Sequence, residues 1–450
     1  MIKSLYLEAM INSFTIENFK SYKKAALKLA PLTVMVGANA SGKSNALEAI
    51  RFLTWMAQGQ KLSSLQFEVN QNNAAIRGQI KDIFFKGNSE LKLGCLMQDS
   101  GLGHSWELQI TLDHRLGKEI HISKESMIKT NSEEILYETT KPSSGLATDI
   151  SVAFNNFARG GKKPQVTCSD QLGIFTQMSA PGKINPNYKK SIQHVGELSR
   201  YTESLLSRIL FLDPSPQSMR NYSFISESAL LGNGSNISAV LYNLVNVDDN
   251  PFDDEPGRLK KEILQFIESL PEQDITDIDF LEGPRGEVMV VLTETFGNEN
   301  RKMDAGVLSD GTLRVLAIAA ALLSAPEESI VIIEEIDNGV HPSRAKQLLN
   351  QINKIAVKRR LQIVLSTHNP ALMDALPDEV IPDVVFCYRD KKDGSSKLIS
   401  LKDVPDYPEL ISQGSLGDLV TEGALSNFVK NYEGPDAKKE KALQWLESIK

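Results

Sequence analysis

The chain has 450 residues, 41% of them apolar and 24% charged, which is enough for full hydrophobic cores in about two or three domains. Its net charge of −8 excludes a protein that coats nucleic acid by bulk electrostatics, although a local basic face remains compatible with binding it. Cys95, Cys168 and Cys387 are too few and too scattered for a disulfide framework or a cysteine zinc site, and there is no long apolar run or secretory leader. These features predict a soluble, cytoplasmic protein of a reducing compartment with no membrane partner. Met10 offers an alternative start, with the first nine residues as an extension.

Residues 13–19 alternate apolar and polar, and Ala25–Leu29 can pair with them, so a small β-meander is expected ahead of the apolar strand Leu32–Val36. That strand runs into Gly37-Ala-Asn-Ala-Ser-Gly-Lys-Ser44, and a helix follows with Leu47, Ile50, Leu53 and Ala57 on one face. Gly37 and Gly42 let the backbone curl so that its N–H groups point inward at phosphate, and the helix N-terminus adds its positive dipole end. Lys43 can reach the β- and γ-phosphates, and the Ser44 hydroxyl is placed to ligate Mg²⁺. Asn39, Ser41 and Asn45 complete the side chains expected at ATP.

Glu17-Asn-Phe-Lys-Ser-Tyr22, followed by the phosphate loop, resembles the head of structural-maintenance-of-chromosomes (SMC), RecF and related ABC-type ATPases. The resemblance implies an α/β fold: an ABC-type P-loop ATPase head with a central mixed or parallel sheet flanked by helices, an N-terminal antiparallel β part and a short inserted lobe. It implies ATP and Mg²⁺ as cofactors and brings Lys20 near the nucleotide, a surface lysine being the other reading. It also implies a γ-phosphate-sensing glutamine, for which Gln79 and Gln98 are both available.

Strands are expected at Ile80–Phe85, Leu91–Met97 and Trp106–Leu112, separated by Gly, Asn and Ser turns. Residues 114–200 carry a basic loop, Arg159-Gly-Gly-Lys-Lys163, but no sustained heptad, which excludes a long coiled-coil arm. Residues 199–213 read as helix then strand, and Ser235 or Asn236 can cap a helix through Leu241 and Leu244. The acidic stretch Asp248–Glu255 reads as a solvated loop, followed by a helix at Leu259–Leu270 and strands at Ile278–Leu281 and Glu287–Thr293. The domain boundaries predicted are 1–113 for the N-terminal half of the head, 114–204 for the inserted lobe, 205–402 for the C-terminal half and 403–450 for a docking tail.

Leu308-Ser-Asp-Gly-Thr-Leu-Arg314 opens a helical apolar run and resembles the ABC signature, in which Ser309 and Gly311 would contact the γ-phosphate bound by another protomer. Asp310 and Thr312 place it nearer the SMC and RecF side than the transporters. The resemblance therefore implies self-association of ATP-bound heads, as a dimer or higher. Ser329–Ile333 is a buried strand ending in Glu334-Glu335, two carboxylates at the end of a sheet strand where α/β folds place ligands. Glu334 should support Mg²⁺ through its water shell, and Glu335 should orient or deprotonate the attacking water. Glu334 departs from the aspartate usual in the family. The following Ile336–Pro342 resembles the D-loop that touches the partner head, with His341 structural.

After a helix (Arg344–Val357), the strand Leu361–Leu365 leads into Ser366-Thr-His-Asn-Pro370, where His368 occupies the switch position of ABC-type ATPases. Val384–Tyr388 and Lys397–Leu401 read as a terminal hairpin. The tail contains Gly414-Ser-Leu-Gly-Asp-Leu-Val420 and ends in a charged helix, Ala437–Ile449.

The motifs resemble compact, coiled-coil-poor heads of RecF, overcoming-lysogenization-defect (OLD) nucleases and anti-phage systems. The layout and tail are most similar to the PtuA family, the ATPase subunits of the Septu anti-phage system, which works with a separate HNH nuclease subunit. No Toprim pattern follows His368, so a nuclease is expected on a different chain. The rivals are the ATPase of a PARIS-type defence system and a RecF- or SMC-like ATP-gated clamp, for which DNA is the partner.

Overall fold

The structure is a computed structural model that describes residues 9–68, 76–99, 104–115, 119–145, 147–248, 257–267, 274–296, 299–338, 342–404 and 407–431. A six-stranded sheet lies at its centre, in the order Leu210–Leu212, Ile330–Ile333, Gln362–Thr367, Leu32–Val36, Val385–Arg389 and Ser396–Ser400. All neighbours are parallel except the terminal hairpin. Its inner strands are apolar throughout because both faces are covered. Alternate residues feed two cores: Leu32, Val34, Val331, Ile333 and Leu365 face one, and Met35, Ile330, Ile332 and Val364 the other.

The first of these cores holds the helices Asp310–Ser324 and Pro342–Lys358. The second holds the P-loop helix Lys43–Ala57 and an eight-stranded antiparallel sheet. Each fully buried aliphatic side chain stabilises by roughly 1.5–3 kcal/mol relative to exposure. The two sheets on this side are stitched by the buried Gln362 amide, which accepts from Ile11 N at 3.0 Å and donates to Ile11 O at 2.8 Å. A smaller antiparallel sheet (Ser223–Phe224, Ile275–Glu282, Glu287–Phe296, Glu299–Asp304) precedes the signature helix Asp310–Ser324. No described helix is long and apolar enough to cross a membrane.

Several expectations are met, including the meander (Ala9–Phe19 with Tyr22–Lys28), the strands Glu90–Asp99 and Ser105–His114, and the terminal hairpin. Others differ. Residues 80–87 form two short 3₁₀ turns, Ile80–Ile83 and Phe85–Gly87, with Phe84 between them in an isolated bridge to Phe19; Lys20 N donates to Ile83 O at 2.6 Å, so the segment is held on the meander rather than in a strand ladder. Residues 120–169, expected within an inserted lobe, supply four strands that extend the eight-stranded sheet beyond Ser105–His114. Neither Ser235 nor Asn236 caps Ile237–Asp248: Asn236 bonds back to Leu231 and Ala229, and the Ser223 hydroxyl accepts from Ala239 N at 2.9 Å. The described part of the tail packs on the chain itself. Leu410, Leu416, Leu419 and Leu425 join the first core, and Gly417 N donates to Asp374 at 2.6 Å. His341, most of the acidic stretch and the helix expected at Ala437–Ile449 lie outside the described residues.

One buried carboxylate fixes the turn after the eight-stranded sheet. Glu125 accepts from Tyr137 Oη at 2.7 Å and from the backbone N–H groups of Ile174 and Phe175, at the start of Ile174–Met178. Burial raises its pKa from 4.5 to about 7 against these three bonds. The folded state therefore holds this proton more tightly than the unfolded chain. The associated stability is full below about pH 4.5 and is lost as the pH rises through about 7, by about 3 kcal/mol. Urea midpoints taken at pH 5 and pH 7.5 should fall more steeply for the native chain than for Glu125→Gln, which cannot titrate there.

Candidate nucleotide-binding site

The site begins where the central strand ends. Gly37 (φ 147°) and Gly42 (φ 120°) have left-handed backbones. A Cβ on Gly37 would collide with the Cys387 carbonyl, and one on Gly42 with the Ser396 side chain. The loop is braced from outside by residues remote in sequence. Tyr22 Oη donates to Gly42 O at 3.0 Å, Ser396 Oγ to Ser41 O at 2.6 Å, and Arg389 Nε to Ala40 O at 3.0 Å. Inside the loop Lys43 Nζ donates to Gly37 O at 2.5 Å and Ala38 O at 3.2 Å. Burial holds its pKa below the usual lysine range, against the pull of Cys387, Asp337 and Glu335.

Asn39, Ala40, Ser41, Gly42, Lys43, Ser44 and Asn45 line a cleft of about 430 Å³ together with Glu335, Ser366, Thr367, His368 and Arg389. Five strands of the parallel sheet end near one another, so loops distant in sequence converge there. Glu335 follows Ile330–Ile333 with φ 50°, a conformation uncommon for a non-glycine residue. Its backbone N–H donates to Ser366 Oγ at 3.1 Å, and Asn338 Nδ2 donates to its Oε2 at 2.9 Å. His368 Nδ1 lies 3.4 Å from Asp337 Oδ2, whose carboxylate is buried. The other oxygen, Asp337 Oδ1, is buried with no hydrogen-bond partner among the described residues.

The remaining expected residues lie elsewhere. Glu334 is directed at the P-loop helix, where its Oε1 pairs with Arg51 Nη2 at 3.0 Å, and it does not line the cleft. Burial raises its pKa, assisted by Asp213 and Glu335 and opposed by Arg51 and Arg77. Lys20 is clamped by Glu48 at 2.5 Å and the Arg77 carbonyl at 2.7 Å, and burial lowers its pKa. It lines a neighbouring cavity of about 420 Å³ that shares Asn45 and Arg389 with the cleft. Neither Gln79 nor Gln98 is among the residues lining the cleft; Gln98 accepts from Asn12 at 2.7 Å.

Ser309 caps the helix Asp310–Ser324 by accepting from Thr312 N at 3.1 Å, and Asp310 pairs with Arg220 at 2.6 Å. Neither Ser309 nor Gly311 lines the P-loop cleft of its own chain. Sequence reasoning missed Arg389, whose only signal is its position at the end of a core strand, and it placed Asp337 and Asn338 in the D-loop segment without giving either a part in the cleft.

Comparison with known proteins gives matches on both halves of this head. A family model described as "AAA domain, putative AbiEii toxin, Type IV TA system" matches residues 195–374, and one described as "AAA ATPase domain" matches residues 10–156. A Helicobacter pylori protein named ATP/GTP phosphatase is 24% identical over 405 residues, covering 88% of this chain and 94% of that protein. Among solved structures, an SMC head bound to the C-terminal winged-helix domain of ScpA aligns with a TM-score of 0.43 at 14% identity, covering 87% of this chain and 97% of that one. An SMC head with an extended coiled coil from Pyrococcus furiosus aligns at 0.42 and 13%, covering 90% and 100%. The chain is thus similar over residues 10–156 and 195–374 to AAA-type ATPase domains, and the first of these stretches contains the phosphate loop.

Arg389 is the exposed cation of the cleft, and its guanidinium is already oriented by two backbone carbonyls, Ala40 and Gly394. Arg389→Ala should weaken binding of a non-hydrolysable ATP analogue about tenfold, or ~1.4 kcal/mol. Titration calorimetry checks this, with the melting temperature without nucleotide separating lost binding from loss of the Ala40 brace.

Proposed function

We propose that the chain is the ATP-hydrolysing subunit of a prokaryotic anti-phage defence complex, in which ATP-dependent pairing of heads senses infection and regulates a separate effector nuclease of the HNH type. The observation that carries the pairing is the division of the machinery within one chain. The phosphate loop, Glu335 and His368 share a cleft that Ser309 and Gly311 do not line. The signature instead follows Val307, 65% exposed, and lies beside Arg220, which donates to Leu308 O at 3.0 Å; Tyr222 and Phe224, about half exposed, lie two and four residues beyond that arginine. The exposed Val307 just ahead of a helix N-terminus is suited to meeting a second head that carries phosphate. The defence role is supported by the PtuA resemblance and by the toxin system named in one matched family.

The chemistry follows from the residues. Backbone N–H groups of residues 37–44 bind the phosphates, and Lys43 exchanges the Gly37 and Ala38 carbonyls for phosphate oxygen. Ser44 and Glu334 are oxygen donors of the kind Mg²⁺ takes, and the orphaned Asp337 oxygen adds a buried acceptor on the partner of His368. When bound, Mg²⁺ neutralises charge on the phosphates. Glu335 accepts the proton of the water that attacks the γ-phosphate, with Asn338 holding Oε2 so that Oε1 is free for that water. Asp337 Oδ2 lies 3.4 Å from Nδ1 of His368 and orients the ring, which leaves Nε2 for the γ-phosphate.

Glu335→Gln should bind ATP, hydrolyse it roughly 10²–10⁴-fold more slowly and accumulate as an ATP-dependent dimer or larger assembly. Lys43→Ala should bind no ATP and not assemble. Mass measurement of the full chain with and without ATP, alone and with any nuclease encoded beside it, reads both. Normal turnover by Glu335→Gln would remove it as the base, and a dimer that binds DNA without any nuclease would favour the repair clamp.

A further inference from the structure

A second cavity, larger than the nucleotide cleft at about 520 Å³, lies between the P-loop helix and the edge strand Leu210–Leu212. Its lining is amphipathic in a specific way. Trp55 and Phe211 present aromatic surface, Arg51 and Asp213 are the ionised side chains, and Asn233 adds an amide. Thr54 and Trp55 are 4% and 6% exposed. The Thr54 hydroxyl, the Trp55 indole N–H and Arg51 Nε have no hydrogen-bond partner among the described residues. Three orphaned groups on one helix face, two of them able only to donate, call for a guest with acceptor oxygens.

We propose that this cavity is a second binding site, for a phosphomonoester of mononucleotide size. The phosphate meets the Arg51 guanidinium, and the Thr54 hydroxyl and Trp55 indole N–H, which are closed to solvent in the structure, turn out to it on binding. The Asp213 carboxylate accepts from ribose hydroxyls, and the aromatic surface takes the base. The cavity exceeds the cleft assigned to the triphosphate, so size admits a mononucleotide. A hydrated cavity without a ligand is the competing outcome.

Arg51 also gives the site a route to the catalytic machinery. Its Nη2 holds Glu334 at 3.0 Å while its guanidinium lies 4.8 Å over the Phe211 ring. A phosphate that competes for Arg51 releases Glu334 towards Ser44, a consequence that rests on the metal role given to Glu334 above.

The test is equilibrium dialysis of the full-length Lys43→Ala protein, whose P-loop site is disabled, against labelled AMP, glucose 6-phosphate and inorganic phosphate. About one AMP per chain is expected, at least tenfold tighter than either of the other two. Thr54→Val combined with Trp55→Phe, which removes both orphaned groups and keeps an aromatic ring at position 55, should weaken AMP binding tenfold or more. No retention of AMP at millimolar concentration, binding no tighter than the other phosphates, or binding unchanged by the double substitution would overturn the proposal. Failure of the P-loop reading shows separately, as ATP hydrolysis by Lys43→Ala at the native rate.

Discussion

A phosphate loop must keep several backbone N–H dipoles turned inward, and without phosphate those dipoles repel one another. In this chain the loop is held in that shape from outside by Tyr22 on Gly42, Ser396 on Ser41 and Arg389 on Ala40. Gly37 seats against the Cys387 carbonyl, where no side chain fits. Three of these contacts come from the terminal hairpin strands and one from the N-terminal meander. The loop is thus a composite of both ends of the chain. Lys43, folded back on the loop carbonyls, occupies the space until phosphate competes for it.

The sheet beneath explains why the polar groups of the cleft arrive on separate loops. Alternate residues of the parallel strands serve two different cores, so each strand must sit between a helical layer and the antiparallel sheet. Both faces are then closed, and polar chemistry is confined to the strand ends. Glu335, Ser366, His368 and Arg389 all stand there beside the loop. The left-handed backbone of Glu335 costs on the order of 1–3 kcal/mol, offset by its bonds to Ser366 and Asn338. That strain sets the carboxylate apart from Glu334, which turns the other way to Arg51.

The same layering separates the signature from the cleft. Ser309 caps a helix that belongs wholly to the first core, whereas the P-loop helix belongs to the second. Within one chain, Ser309 and Gly311 therefore stand apart from the cleft that the phosphate loop lines. The Arg51 contact joins the nucleotide cleft to the edge-strand cavity within one helix, where Ser44 and Arg51 stand two turns apart.

The strand, loop and helix at 32–57, the carboxylate Glu335 and the histidine after a core strand were legible in the sequence because each is local, whereas the turn of Glu334 to Arg51 was not. Glycine conformation, strand burial and helix periodicity all act over a few residues, and that locality also revealed the parallel α/β core. Where several short-range patterns were compatible, tertiary packing decided. It held residues 80–87 on the meander as two 3₁₀ turns, and it drew residues 120–169 into the existing antiparallel sheet. It also clamped Lys20 on Glu48, placed the tail on the chain's own core, and brought Arg389 to a loop it follows by hundreds of residues. These outcomes depend on which side chains meet across the cores and which donors find acceptors there, and chain order carries no record of either.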